Sequence, residues 1–234
     1  MENAVKQEHF TLFGIPAILY GDTSKKVYLF IHGKMGYKEE GEAFARVVCP
    51  KGWQVLSLDL PEHGVRAQEP GFDPWHVVPE LQRVLAYARG RWPSVALRAT
   101  SLGAWFAMVA FAGAPLERAL FLSPVVDMAG LIETMMGWAG VSEEALAQAG
   151  ELPTDFGETL SWRYLQYARA HPVSSWSVPT AILYGEKDPL TTPATIEAFA
   201  QRPGRRLTVM PGGEHWFHTP EQLAYLEAWE AQNT

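Results

Sequence analysis

The sequence predicts a doubly wound α/β fold, in which a mostly parallel sheet is covered by helices on both faces. Short β-branched and aromatic runs alternate with helical apolar patterns along the chain. Most of these short runs are apolar throughout, which is typical of strands buried on both faces of a parallel sheet. At 234 residues, the chain is long enough for one such domain with an inserted subdomain.

The predicted elements begin with an antiparallel hairpin over residues 8–20, whose two apolar runs turn near Gly14-Ile15. The parallel strands are expected over residues 27–31, 55–58, 95–97, 119–122, 181–184 and 207–210. Helical patterns separate them over residues 40–48, 77–88, 102–111, 192–200 and 220–229. Asp73-Pro74 fits the cap and first turn of the second of these helices.

One connection, over residues 123–179, is much longer than the others. A loop of that length without secondary structure is uncommon in a compact domain, and helical patterns recur over residues 129–138, 142–149 and 159–170. We therefore predict a small helical cap over residues 127–178, inserted into a core formed by residues 1–126 and 179–234. Such an insertion can cover the crevice at the carboxyl ends of the strands, where open α/β sheets bind ligands.

Composition and charge argue against several functions. The net charge of −7 comes without a basic cluster, so we expect neither nucleic acid nor an anionic membrane surface as a partner. Cys49 is the only cysteine, which excludes an intrachain disulfide. The chain has neither a bilayer-spanning apolar stretch nor the regions of a signal peptide, so we expect a cytoplasmic protein. Without a Rossmann fingerprint or a P-loop, no nucleotide cofactor is expected.

Three chemically distinctive residues follow predicted parallel strands. Ser101 comes after the strand over 95–97, Asp188 after 181–184 and His215 after 207–210. The carboxyl ends of parallel strands meet at one edge of the sheet, so these side chains can converge there. A serine, a carboxylate and a histidine in this chain order are typical of a nucleophilic triad on an α/β sheet.

Five segments that follow predicted strands carry a family resemblance. They are HGKMG (32–36), DLPEHG (59–64), ATSLG (99–103), LYGEKD (183–188) and GGEHWFH (212–218). In this order the chain resembles the α/β-hydrolase superfamily, and specifically a small bacterial-type, esterase-like serine hydrolase with a helical cap. The resemblance covers nearly the whole chain. It departs from the G-x-S-x-G pattern at Ala99, where the first glycine is expected.

Ser101 has two interpretations. As a nucleophile it would occupy a sharp turn between a strand and a helix, which requires small residues two positions on either side. Gly103 and Ala99 meet that requirement. As a structural residue it would cap the following helix, a role that serine performs well. The other four segments favour the nucleophile.

A nucleophilic serine needs a base, and the base needs a carboxylate. The resemblance implies His215 as the base, with His218 as the rival three residues on. Asp188 is the expected acid, and Asp127, after the preceding strand, is the alternative location. The two histidines are fewer than the three or four ligands of a zinc site, so no metal is expected.

The resemblance also implies an oxyanion hole made of backbone N–H groups. Leu102, after the nucleophile, would supply one. Lys34 would supply the other, with Met35 as the alternative. The segment 59–64 resembles a conformational turn of the family, and His63 within it is interpreted as structural.

These features together predict a carboxylesterase that cleaves small to medium hydrophobic esters through an acyl-enzyme, without a cofactor. Its pocket is expected to be apolar and to include Met135, Trp138, Trp162 and Trp216. A thioesterase, an amidase or peptidase, and a lyase or carbon–carbon hydrolase are alternatives on the same scaffold. A ligand-binding protein without catalysis is the alternative from another class.

Overall fold

The computed structural model describes residues 5–234, and its centre is a twisted β-sheet. Within those residues the strands are β1 (Gln7–Leu12), β2 (Ile15–Tyr20), β3 (Lys26–Ile31), β4 (Gln54–Leu58), β5 (Ser94–Thr100), β6 (Ala119–Leu122), β7 (Glu151–Pro153), β8 (Thr159–Ser161), β9 (Thr180–Gly185) and β10 (Arg205–Met210). The central sheet has the order β1-β2-β4-β3-β5-β6-β9-β10, and β7 and β8 form a separate hairpin. The sheet is antiparallel from β1 through β2 to β4, and parallel from β4 to β10.

Helices cover both faces of the sheet and bury two apolar clusters. They are α1 (Gly41–Val48), α2 (Pro74–Arg91), α3 (Ser101–Ala110), α4 (Met128–Ala139), α5 (Glu143–Ala149), α6 (Trp162–Ala170), α7 (Pro193–Ala200) and α8 (Pro220–Asn233). The cluster on one face contains residues of α1 and α8, and the larger cluster on the other face contains residues of α2, α3 and α7. None of the helices within residues 5–234 is both long and apolar enough to cross a membrane.

The strand order fixes the place where a site can form. The connection after β3 leads to β4 on one side of it, whereas the connection after the neighbouring β5 leads to β6 on the other side, so the two diverge. At such a switch point the loops after the neighbouring strands diverge and leave a crevice at their carboxyl ends. The loop after β3 and the turn after β5 therefore border the crevice, and β5 ends at Thr100, directly before Ser101.

The N-terminal hairpin and the parallel sheet confirm the predicted fold class. The predicted core begins at residue 1, and residues 1–4 lie outside the described residues. The long connection between β6 and β9 contains α4, α5, the β7–β8 hairpin and α6. It packs against the rest of the chain through aromatic side chains, with Tyr164 and Tyr167 of α6 contacting Trp75 and Trp105. The division into a core and a cap over residues 127–178 stays a prediction.

The prediction of a helix over residues 159–170 is wrong at its first three residues. Thr159–Ser161 pairs as β8 with Glu151–Pro153. Leu160 is buried between an exposed and a half-buried neighbour, which is the alternation of a strand rather than of a helix. Ser161 then begins α6 as its N-cap, because its hydroxyl accepts a hydrogen bond from the N–H of Tyr164.

Candidate active site

Ser101 lies at a sharp turn between β5 and α3. Its φ is +50°, a left-handed value that is uncommon for a residue other than glycine. Gly103 permits this turn, because a Cβ on it would lie 2.1 Å from the carbonyl oxygen of His32. The helix therefore approaches the end of β3 closely, and Ser101 stays at the carboxyl edge of the sheet.

The hydroxyl of Ser101 does not cap the helix. The N-cap of α3 is Thr100, which makes no side-chain capping hydrogen bond, and Ser101 is the first residue of the helix. Instead, Ser101 Oγ lies 2.8 Å from His215 Nε2, within hydrogen-bonding distance. The geometry thus connects the serine hydroxyl to the imidazole of His215 rather than to the helix terminus.

His215 also contacts Asp188 on its other ring nitrogen. Nδ1 lies 2.7 Å from Asp188 Oδ2. With the proton of a neutral ring on Nδ1, His215 donates to the carboxylate, and its Nε2 lone pair faces the serine hydroxyl. Three residues distant in the sequence therefore form one hydrogen-bonded chain: Ser101, His215 and Asp188.

The carboxylate of Asp188 is held in place by its own loop. The side chain is fully buried, and Oδ1 accepts hydrogen bonds from the N–H groups of Leu190 at 2.8 Å and Thr191 at 3.3 Å. The loop containing Asp188 is joined to that containing His215, because the N–H of Lys187 donates to the carbonyl oxygen of Gly213 at 2.8 Å. These contacts fix the orientation of the carboxylate towards the imidazole.

The two alternative residues have other partners. His218 is half-exposed, stacks on Trp216 and donates from Nδ1 to the carbonyl oxygen of Trp216 at 2.8 Å. Asp127 is the N-cap of α4 and accepts the N–H of Gly130 at 2.9 Å. Neither side chain belongs to the hydrogen-bonded chain of Ser101.

Two backbone N–H groups are available beside Ser101. A Cβ on Gly33 would lie 3.1 Å from Cβ of Ser101, so the loop after β3 touches the serine. Within residues 5–234 the N–H of Lys34, the next residue, has no acceptor. Leu102 is the second residue of α3, and an N–H at that position has no acceptor within its own helix. The N–H of Met35 is already used, because it donates to His63 Nε2 at 2.8 Å.

His32 joins the loops that follow β3 and β4. Its Nδ1 donates to the carbonyl oxygen of Gly33 at 2.7 Å, and its Nε2 accepts the N–H of Leu60 at 3.0 Å. The ring is fully buried, and this burial lowers the pKa of His32 to about 4. The neutral ring thus acts as a fixed crosslink between the two loops.

The four residues predicted for the pocket do not form one cluster. Met135 and Trp162 are half-buried and pack against the larger apolar cluster. Trp138 is 54% exposed and contacts Phe156 of the β7–β8 turn edge to face. Trp216, next to His215, is 73% exposed. The pocket therefore stays a prediction.

Two contacts of the loop after β3 were not expected from the sequence. His63 binds the backbone of Met35, although the sequence interpretation gave it only a structural role. Lys34 forms an ion pair with Glu158 of the β7–β8 turn. The sequence signal for His63 was its position after a predicted strand, whereas no local pattern distinguishes Glu158.

Among the described residues, no group of three or more His, Cys, Asp or Glu side chains could hold a metal ion.

No protein-family model and no curated protein matches the chain. Solved structures are similar over nearly its whole length. Est1E from Butyrivibrio proteoclasticus is 19% identical, with a TM-score of 0.73 over 97% of this chain and 96% of that chain. It has also been solved with ferulic acid bound.

Two other similar structures come from distant organisms. Mouse alpha/beta hydrolase domain-containing protein 10 is 13% identical, with a TM-score of 0.73 over 97% of this chain and 98% of that chain. Esterase PF2001 from Pyrococcus furiosus is 15% identical, with a TM-score of 0.67 over 98% of this chain and 88% of that chain. At these identities the likeness concerns the fold.

Proposed function

The chain has the α/β-hydrolase fold, and from this premise we propose that it is a serine hydrolase with Ser101, His215 and Asp188 as its triad. Fold alone does not imply a reaction, so the proposal depends on the site. The observation that carries it is the hydrogen-bonded chain from Ser101 Oγ to His215 Nε2 at 2.8 Å and from His215 Nδ1 to Asp188 Oδ2 at 2.7 Å.

In the proposed reaction, Ser101 Oγ attacks the carbonyl carbon of an ester while its proton passes to His215 Nε2. Asp188 stabilises the resulting imidazolium. His215 then gives the proton to the leaving alcohol, and the acyl group remains on Ser101. A water molecule, deprotonated by His215, attacks the acyl-enzyme, and the acid leaves with Ser101 restored. No step requires a cofactor.

The N–H groups of Lys34 and Leu102 are proposed as the oxyanion hole. Donors fixed before the reaction stabilise the negative charge that develops on the carbonyl oxygen, and the loss of one such donor costs ~10²–10³ in kcat. Lys34 is favoured over Met35 because the N–H of Met35 is bound to His63, whereas that of Lys34 has no acceptor within the described residues.

A carboxylesterase acting on small to medium hydrophobic esters is the reaction proposed within this class. The support is the apolar character of two exposed side chains on the loops that contain Lys34 and His215. They are Met35 and Trp216. Exposed apolar groups near a site favour an apolar ligand, because its binding removes their surface from water.

The test is covalent labelling with a fluorophosphonate, which phosphonylates an activated serine with loss of fluoride. We expect the wild-type protein to be labelled at Ser101 and Ser101→Ala to be unlabelled, with both variants folded by circular dichroism. An intact wild-type protein that is never labelled would contradict the serine hydrolase. Labelling that persists in Ser101→Ala would show that another residue is the nucleophile.

Substrate class is tested next with p-nitrophenyl esters of increasing acyl length, a thioester, an anilide and methyl ferulate. The ferulate is included because ferulic acid is bound in a structure of Est1E. We expect the highest kcat/KM for short or medium acyl esters. A higher kcat/KM for the thioester or the anilide would replace the carboxylesterase with a thioesterase or an amidase. Labelling of Ser101 without turnover of any substrate would favour a binding protein or another reaction on the same scaffold.

A further inference from the structure

His63 is a buried residue that the proposed mechanism does not use. It lies after β4 and is 6% exposed. Its Nδ1 donates to the carbonyl oxygen of Pro61 at 2.8 Å, which leaves Nε2 as an acceptor for the N–H of Met35, also at 2.8 Å. The ring packs against His32 and Phe72, with centroid distances of 5.0 and 4.4 Å. Both ring nitrogens and both neighbours therefore fix His63 in one orientation.

The hydrogen bond that Met35 donates to His63 stabilises a turn whose backbone conformation is unfavourable for methionine. The N–H of Gly36 donates to the carbonyl oxygen of Gly33 at 3.1 Å, which makes residues 33–36 a β-turn. Met35 is the third residue of that turn and has a φ of +66°, at a position where glycine or asparagine is preferred. Its side chain is 86% exposed and does not anchor the turn. The hydrogen bond to His63 offsets the unfavourable backbone conformation.

We propose that His63 is a positioning residue of the oxyanion hole, acting through the N–H of Met35 on the turn that contains Lys34. This inference rests on the proposed function, in which the N–H of Lys34 stabilises the oxyanion. Without an acceptor at His63, the peptide between Lys34 and Met35 is no longer held, and Met35 can relax to a negative φ. Because Lys34 also belongs to the preceding peptide, which carries its N–H, this relaxation changes the position of that N–H relative to Ser101.

The first test distinguishes the hydrogen-bond acceptor of His63 from the packing of its ring. His63→Phe keeps a ring against Phe72 but cannot accept a hydrogen bond, whereas His63→Gln loses the ring and keeps an acceptor close to the position of Nε2. We expect kcat for a p-nitrophenyl ester to fall about tenfold or more in His63→Phe, since the displacement of an oxyanion donor acts on the transition state. We expect KM to stay within about threefold, and His63→Gln to retain kcat within about threefold of wild type.

A second pair of variants covers the case in which His63→Phe does not fold. His63→Asn carries the same amide as His63→Gln, but its shorter side chain cannot bring the oxygen to the N–H of Met35. We expect His63→Asn to lose kcat and His63→Gln to keep it. The affinity for a trifluoromethyl ketone, which forms a tetrahedral adduct with an oxyanion, should fall in parallel with kcat. Thermal unfolding of every variant measures its folding separately.

The opposite ranking would overturn the inference. If His63 only fills space, His63→Phe keeps wild-type kcat and His63→Gln and His63→Asn fall equally. Equal losses in kcat for His63→Gln and His63→Phe, both folded, also contradict the role of the acceptor. Failure of the proposed function is recognised differently, because the wild-type protein itself would then neither turn over esters nor be labelled at Ser101.

Discussion

At the scale of single residues, Ala99 shows why the missing glycine of the G-x-S-x-G pattern is tolerated. The strand β5 continues through Thr100, and Ala99 is fully buried within it between Ile31 of β3 and Phe121 of β6. The positive φ falls on Ser101, one residue after the strand ends. Residue 99 therefore needs only a small side chain, whereas Gly103 has no room for any side chain beside His32.

The assignment of Asp188 makes a prediction at the same scale. Asp188→Asn should lower kcat by ~10³–10⁴, because an amide in place of the carboxylate favours the wrong tautomer of His215. Asp127→Asn is the matched control, since asparagine also caps helices well and Asp127 caps α4. Steady-state kinetics of the two variants measures both effects. A large loss of kcat in Asp127→Asn, with Asp188→Asn near wild type, would exchange their roles.

At the scale of elements, the β7–β8 hairpin joins the long connection between β6 and β9 to the loop beside Ser101. Its turn is closed on itself, because the N–H and the hydroxyl of Thr154 both donate to the carbonyl oxygen of Glu158, at 2.8 and 2.7 Å. The carboxylate of Glu158 pairs with Lys34. Since the backbone of Lys34 is a proposed oxyanion donor, the hairpin is attached to a residue of the site.

This attachment predicts a salt-dependent effect of Glu158. Glu158→Gln should lower kcat/KM by at most about fivefold at low salt, because partly exposed ion pairs contribute about 0.2–1 kcal/mol. The difference from wild type should shrink at high salt, which screens the pair. Glu151→Gln, an exposed carboxylate on the same hairpin, is the control and should match wild type. An effect of Glu158→Gln that does not depend on salt would contradict an electrostatic role.

The sequence predicted the strands that have a local apolar pattern. It did not predict the short strands and the side-chain contacts that depend on residues far away in the chain. Apolar runs predicted all eight strands of the central sheet, and the segments after them predicted the residues that meet at Ser101. The three-residue strands β7 and β8 are too short for a periodic pattern and exist because they pair with each other. The contacts of Lys34 with Glu158 and of Met35 with His63 join residues from separate elements, so no local spacing could indicate them.

At the scale of the whole molecule, the site depends on loops from separate parts of the chain that meet at one edge of the sheet. The loops after β3 and β4 are joined by His32, and those after β9 and β10 are joined by the hydrogen bond from Lys187 to Gly213. Ser101 lies at the turn after β5, which is between β3 and β6 in the sheet. The stability of these loops and the geometry of the site are therefore linked. Because His32 is titratable, we expect the stability of the folded protein to depend on pH.

Burial of His32 predicts that acid destabilises the folded protein. The pKa of His32 is lowered from 6.5 to about 4 in the folded state, so between these values the unfolded chain binds more protons. The free energy of unfolding should therefore fall as the pH is lowered through this window, by up to about 1.4 kcal/mol per pH unit from this group. Above the window both states are neutral at His32, and the contribution is constant.

Urea unfolding at a series of pH values across this window, for wild type and two variants, isolates the contribution of His32. His32→Gln removes the titrating group, so its free energy of unfolding should depend less steeply on pH than that of wild type, whatever its stability at neutral pH. His9→Gln, at an exposed position on β1, should keep the wild-type dependence. Parallel curves for wild type and His32→Gln would mean that His32 has the same pKa in the folded and unfolded states. The folded ring would then become protonated on acidification as readily as the unfolded one, and the crosslink between the loops after β3 and β4 would be lost with it, because a protonated His32 cannot accept the N–H of Leu60.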